Sequence, residues 1–150
     1  MAHDASKVLL GTTQSSDRVS SDYNSDPATF VAGLAVRQSS TAEGLVLAKA
    51  SGQLVGVSLG KSLSNHKKTT VCRAGLRVPI LLTDDEADYA YVVPGALVWV
   101  DDVTGKANVE DDGDVTTTVT QAVYASAALD GIAEDGSSVK VALIDMPGGL

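Results

Sequence analysis

An all-β fold follows from three features of the sequence. Short apolar runs rich in Val, Leu and Ile recur at regular spacing, turns containing Gly and Asp separate them, and no long stretch carries the 3.6-residue apolar period of a helix. The clearest case is residues 92–107. Pro94-Gly95 opens this stretch with a turn, residues 96–100 form an apolar run holding Trp99, and Asp101-Asp102 with Thr104-Gly105-Lys106 turn the chain back. Such a run reads as a strand buried on both faces, or nearly so. With about eight strands spaced this way, the expectation is a small β-barrel or β-sandwich.

Residues 1–29 read as an extended N-terminal arm. Ser, Thr, Asp and Asn dominate residues 12–26, Asp26-Pro27 closes the segment, and Val8, Leu9 and Leu10 are its one apolar patch. Residues 30–150 are the β-rich body. Residues 44–49 and 53–60 flank Ser51-Gly52 and predict a hairpin. A weak echo at residues 95–98, Thr104-Gly105 and Val109 suggests a repeated hairpin design. Residues 61–68 are a polar loop. Residues 69–82 form a long β run broken at Ala74-Gly75, in which Pro79 requires an edge or bulge because it cannot donate to a ladder. Asp84, Asp85, Glu86 and Asp88 mark an acidic loop or short helical turn, and residues 110–114 a second acidic turn. Residues 115–123 alternate as a strand does. Residues 125–128 are ambiguous, Asp135-Gly136 is a turn, and residues 139–144 are the final strand.

The 150 residues suffice for one domain with a real core, and an apolar fraction of 44% is that of a globular chain. Aromatics are 4%, so the core must be built from aliphatic side chains. A formal net charge of −8 argues against nucleic acid as a partner, since phosphate contacts require clustered cations. The charge is uneven: residues 1–77 carry nine Lys/Arg against five Asp/Glu, and residues 78–150 two against fourteen. That asymmetry gives two differently charged surfaces, solvated loops being the plainer account. A single cysteine, Cys72, excludes an intramolecular disulfide and reads as a small buried residue. No apolar run approaches a membrane span and no secretory signal opens the chain, so the expectation is a protein made in a cytosol with no membrane partner.

No pattern marks a catalytic centre. Gly56 and Gly60, followed by Lys61-Ser62, enclose three residues where a phosphate loop needs four, and they end a strand rather than open a helix. Ser58 and Lys61 have the Ser-x-x-Lys spacing, which works on a helix but sends the side chains to opposite faces of a strand. Asp101-Asp102 and residues 110–114 lack the alternating ligands of a calcium loop and read as solvated turns. His3, His66 and Cys72 show no zinc spacing, so neither a metal nor a cofactor is expected. Lys67, Lys68, Arg73 and Arg77, with Lys61, form the one cationic run. Without interleaved aromatics it suits an electrostatic contact with an acidic protein surface rather than single-stranded nucleic acid. Trp99 and Tyr124, rare large side chains on β runs, are candidates for a subunit interface, with the core as the equal alternative. Lys7, Val8, Leu9 and Leu10 form a β-compatible run able to pair with an exposed sheet edge of a partner or a neighbouring subunit, residues 12–26 spanning the gap.

Several pieces together resemble the small capsid decoration, or cement, proteins of tailed bacteriophages. They are Ala32-Gly33-Leu34-Ala35-Val36 after a polar arm, Arg73-Ala74-Gly75-Leu76-Arg77-Val78-Pro79-Ile80, and Pro94-Gly95-Ala96-Leu97-Val98-Trp99-Val100-Asp101. Thr104-Gly105-Lys106, Asp130-Gly131-Ile132-Ala133-Glu134-Asp135 and Val139-Lys140-Val141-Ala142-Leu143 complete the set, which covers roughly residues 30–143. The resemblance implies a β-tulip-like body, homotrimers at threefold positions of the shell, and an N-terminal arm ordered on the capsid. It brings no catalytic residues. The implied partner is a phage major capsid protein and the implied location the outer surface of the virion. The expected action is to bridge capsid proteins and stabilise the expanded shell, because a ligand that binds only one state draws the equilibrium toward it. Two other classes remain open. One is another virion component, such as a head fibre base or tail module, or a carbohydrate-binding module, which would usually offer more exposed aromatics. The other is an enzyme such as a processing hydrolase.

Overall fold

In a computed structural model of the chain, residues 7–11, 19–41, 44, 46–50, 52–62, 66–109 and 117–150 are described. They form the strands β1 (Val8–Leu9), β2 (Val19–Asn24), β3 (Ala35–Gln38), β4 (Leu47–Ala48), β5 (Leu54–Lys61) and β6 (Lys68–Leu81). After a short 3-10 helix (Glu86–Tyr91) come β7 (Leu97–Asp101), β8 (Ala107–Asn108), β9 (Thr117–Tyr124), β10 (Leu129–Ile132) and β11 (Ser138–Met146). The fold is all-β, as the turn spacing predicts. The acidic stretch becomes the 3-10 helix because Asp85 caps it, its carboxylate accepting from the Ala87 amide.

The 14-residue strand β6 carries both halves of the molecule. Its first half pairs antiparallel with β2 and with β5, and beyond β5 lie β3 and then β4. Its second half pairs antiparallel with β11, from which the sheet runs on to β9, β7 and β8. A parallel bridge between Leu82 and Ala107, with the Thr83 amide donating to the Ala107 carbonyl at 3.0 Å, brings β8 back to the end of β6 and closes this half into a small barrel. The halves meet where Ala74-Gly75 breaks the apolar run. Gly75 faces Met146 across a register shift, and Arg77 takes a left-handed φ of 54° while its amide donates to Asp145 Oδ1 at 2.9 Å. Pro79 lies opposite Leu143, in the half where β6 no longer pairs with β2 or β5, which is the edge-like setting a proline requires.

Alternation fills the barrel from one parity of each strand. Val78 and Ile80 of β6, Ala142, Ile144 and Met146 of β11, Val98 and Val100 of β7, and Ala122 and Tyr124 of β9 form one buried cluster. The other face of β6 and β11 is buried too, with Leu81 and Val141 lying beneath Leu10, Ala32 and Leu34. Tyr23, Phe30, Val36, Leu47 and Val71 fill the core of the second half. Cys72 is buried, as its apolar setting predicts.

Two expectations of local pairing are corrected. Residues 44–49 and 53–60 do not form a hairpin, because β3 lies between β4 and β5. Gln38 explains the insertion: its amide donates to the Gln53 carbonyl at 2.9 Å, while its side chain donates to the Gly44 carbonyl at 2.6 Å on the other flank. One strand thereby satisfies backbone groups on both sides. The second hairpin does form, with Trp99 opposite Asn108 and Val100 opposite Ala107, so the two stretches share no common design. The arm boundary at residue 29 also shifts. β2 is a full strand of the sheet, with Tyr23 buried and the Asp22 carboxylate accepting from Ser62 Oγ and Thr70 Oγ1, each at 2.8 Å. Its polar sequence belongs to a half-exposed strand rather than to a free arm. Residues 12–18 and the acidic turn at 110–114 lie outside the described residues.

Candidate interaction surface

β7 is buried on one face, not two. Val98 and Val100 point into the barrel, whereas Leu97 is 49% exposed and Trp99 half-buried on the outer wall. The register sets Leu97 opposite Val123 and Trp99 opposite Val119, itself 46% exposed, which places four apolar side chains side by side across two strands. Exposed Tyr91 and Val93 immediately precede this strand in the chain. The cause lies in β9, whose two valines share the outward parity with Thr117 and Gln121 while Thr120, Ala122 and Tyr124 occupy the inward one. An antiparallel sheet with one wet face normally turns its polar parity to water. Here the threonine faces in, with Thr120 Oγ1 donating to the Val98 carbonyl at 2.8 Å, and the valines face out. Gln121 lies between Val119 and Val123 on this parity, so the exposed apolar groups form two pairs on the outer wall, which is where a partner surface would find them.

The structure separates the two interface candidates. Trp99 belongs to the outer stripe. Tyr124 is 1% exposed, donates to the Asn108 carbonyl at 2.6 Å, and has its phenol pKa pushed up by burial, so it is a core residue with no surface to offer a second subunit. Sequence had no means of dividing them, since both sit on β runs and only their parity relative to the barrel differs.

Residues 7–11 dock on the body of their own chain. Val8 and Leu9 pair in parallel with Gly131 and Ile132 of β10, and the Leu10 amide donates to the Ile132 carbonyl at 3.1 Å. Leu10 is 4% exposed. Two glycines make room: a Cβ on Gly33 would lie 2.9 Å from Leu10 Cδ2, and one on Gly131 would lie 3.1 Å from the Val8 carbonyl oxygen. Burying one leucine contributes about 1.5–3 kcal/mol, against about 1–2 kcal/mol for ordering each residue. Leu10 alone does not offset that cost over five residues, so the Val8 contact and the ladder to β10 must contribute as well.

The cations do not gather. Lys67 precedes β6, Lys68 opens it, and Arg73 and Arg77 are exposed further along. At about 3.3 Å per residue, Lys68 and Arg77 stand at most roughly 30 Å apart, on either side of the break at Ala74-Gly75. A groove of about 350 Å³ lies between the 3-10 helix and the β10–β11 hairpin, lined by Leu81, Leu82 and Tyr89. Its two lysines are both paired, Lys140 with Asp130 at 2.6 Å and Lys106 with Asp84 at 3.3 Å. The Lys140 hydrogen bond holds the Asp130 carboxyl below its ordinary pKa, with Lys7 acting weakly in the same direction.

Asp101 and Asp102 are not a solvated turn. Asp101 is buried, and its carboxylate accepts from the amides of Val103 and Thr104 at 2.8 and 3.0 Å. Asp102 Oδ1 accepts from Arg37 Nη2 at 2.6 Å and from Thr118 Oγ1 at 2.7 Å, and Arg37 also reaches Thr118 at 2.9 Å. This clamp ties β3 to the barrel. Ser58 is buried, donating to the Val31 carbonyl and accepting from the Leu34 amide at 3.1 Å, while Lys61 is exposed, so the pair shares no face. His66 is exposed in a turn. Among the described residues, no three His, Cys, Asp or Glu side chains are grouped to hold a metal. No protein-family model, curated protein or solved structure matches the chain.

Proposed function

We propose that this chain is a structural virion protein that binds the outer surface of a tailed-bacteriophage capsid and stabilises the expanded shell by bridging neighbouring major capsid proteins. The observation that carries the reading is the outward stripe of Leu97, Trp99, Val119 and Val123 on the barrel wall, a rigid apolar face of the kind that binds another protein surface. The sequence resemblance to decoration proteins supplies the partner. In this reading the protein acts as a homotrimer, the Trp99 stripe is the face laid against the capsid, and the cations along β6 meet acidic capsid surface. Stabilisation follows from mass action: at a hundredfold excess over Kd, each occupied site adds about 2.7 kcal/mol to the state that binds.

The test is to mix the purified protein with expanded, undecorated shells of the phage that encodes it. Saturable co-sedimentation and a raised shell melting temperature are expected. Leu97→Lys should weaken binding on the order of tenfold or more while moving the stability of the free protein by less than about 0.5 kcal/mol. Shells that sediment without the protein at every concentration would sink the reading.

A further inference from the structure

Residues 7–11 and the surface they occupy are built for each other, yet nothing in the fit ties them to one molecule. β10 has β11 on its inner side, and its outer edge carries backbone groups that require a partner. Gly131 on that edge lets a second backbone approach, and Gly33 opens the socket that receives Leu10 between Leu34, Leu81 and Val141. At the far end Gly11 takes a left-handed φ of 85°, close against the Leu59 carbonyl. Lys7 stands one position before the Val8–Gly131 pair, which sets it beside Asp130, a complementary charge.

We infer that the outer edge of β10 and the Leu10 socket form a strand-acceptor site that takes residues 7–11 from a second copy of this chain, joining copies by exchanged N-terminal strands. The occupant is a second copy because the site is shaped to this segment, and another copy carries the identical one. The segment is joined to β2 by the seven residues 12–18, which span at most about 25 Å when extended. The acceptor edge of the second copy must therefore lie within that reach of β2 of the first. Exchange preserves every hydrogen bond and every buried contact of the docked form, so concentration decides between the two arrangements. The inference stands apart from the capsid reading, since it requires no partner but the chain itself.

Equal amounts of isotopically heavy and light full-length protein, mixed and equilibrated, provide the test. A zero-length carbodiimide reagent then joins lysines to neighbouring carboxylates, and mass spectrometry reads whether each linked pair is heavy–heavy, light–light or mixed. The Lys140–Asp130 link lies within one hairpin and must stay unmixed, which makes it the internal control. The expected result is a Lys7–Asp130 link whose mixed fraction rises with protein concentration toward that of random pairing. Should Lys140 consume Asp130 so fully that no Lys7 link forms, the L9C/I132C variant decides through its disulfide, with single-cysteine variants reporting any link through Cys72. Links that remain unmixed at every concentration, or the absence of both links, would overturn the inference.

Discussion

Thr120 and Tyr124 sit on the inward parity of β9, and each closes a hydrogen bond that the barrel interior would otherwise leave open. Removing one such partner strands the other in a dry environment. Tyr124→Phe leaves the Asn108 carbonyl without its donor, and a loss of about 1–3 kcal/mol is expected, read as a shift in the urea midpoint at neutral pH. The same residue sets a pH dependence. Burial raises the folded phenol above its ordinary 10.0, so its contribution is complete below pH 10 and is lost as pH rises beyond that value, where the unfolded chain gives up a proton that the fold keeps. Stability of the parent should therefore fall above pH 10, and more steeply than that of Tyr124→Phe. Tyr89, raised chiefly by desolvation, leaves the variant some residual slope of the same sign. Equal slopes in the two proteins would refute this assignment.

At the level of elements, the Arg37–Asp102–Thr118 clamp joins β3 to the β7–β8 turn and to β9. Its two charged side chains are only 11% and 18% exposed, so the pair is shielded from the screening that weakens surface ion pairs. Arg37→Ala and Asp102→Ala are each expected to cost about 1.5–3 kcal/mol, and the double variant should fall short of their sum by about 1 kcal/mol in denaturant unfolding. Strict additivity would mean that the clamp is idle. The aspartates also show where sequence reading ends. Asp101-Asp102 looks like any solvated turn until a partner 65 residues away arrives beside it. β6, β11 and the turn at Asp135-Gly136 were legible because their signals are local: alternation, a Gly break and a short turn. The insertion of β3 between β4 and β5 was not, since Ser51-Gly52 supports a hairpin locally and only the competing hydrogen bonds of Gln38 decide otherwise. The outer stripe was hidden for a related reason. A continuous apolar run such as residues 96–100 has no polar parity to reveal which face is wet. Val8 and Leu9 of the arm do form a strand, with Leu10 turning into the socket beyond it, but the edge that recruits them is β10 of the same chain.

Across the whole molecule, the last strand holds the others together. β11 pairs with β6, β9 and β10, and Val141 meets Leu81 from 60 residues further along the chain. Contacts this distant in sequence place refolding in the millisecond-to-second range, which stopped-flow fluorescence of Trp99 will measure. A chain ending before Ser138 is expected to show no cooperative urea transition by circular dichroism; a sharp one would contradict this dependence on β11. A ribosome delivers residues in order, at about 5–20 per second, so the growing chain spends seconds with β6 made and β11 missing. During that interval the edge of β6 is open to wrong neighbours. Emergence of β11, with its core residues Val141, Ala142, Ile144 and Met146, is thus the event that permits the barrel to close.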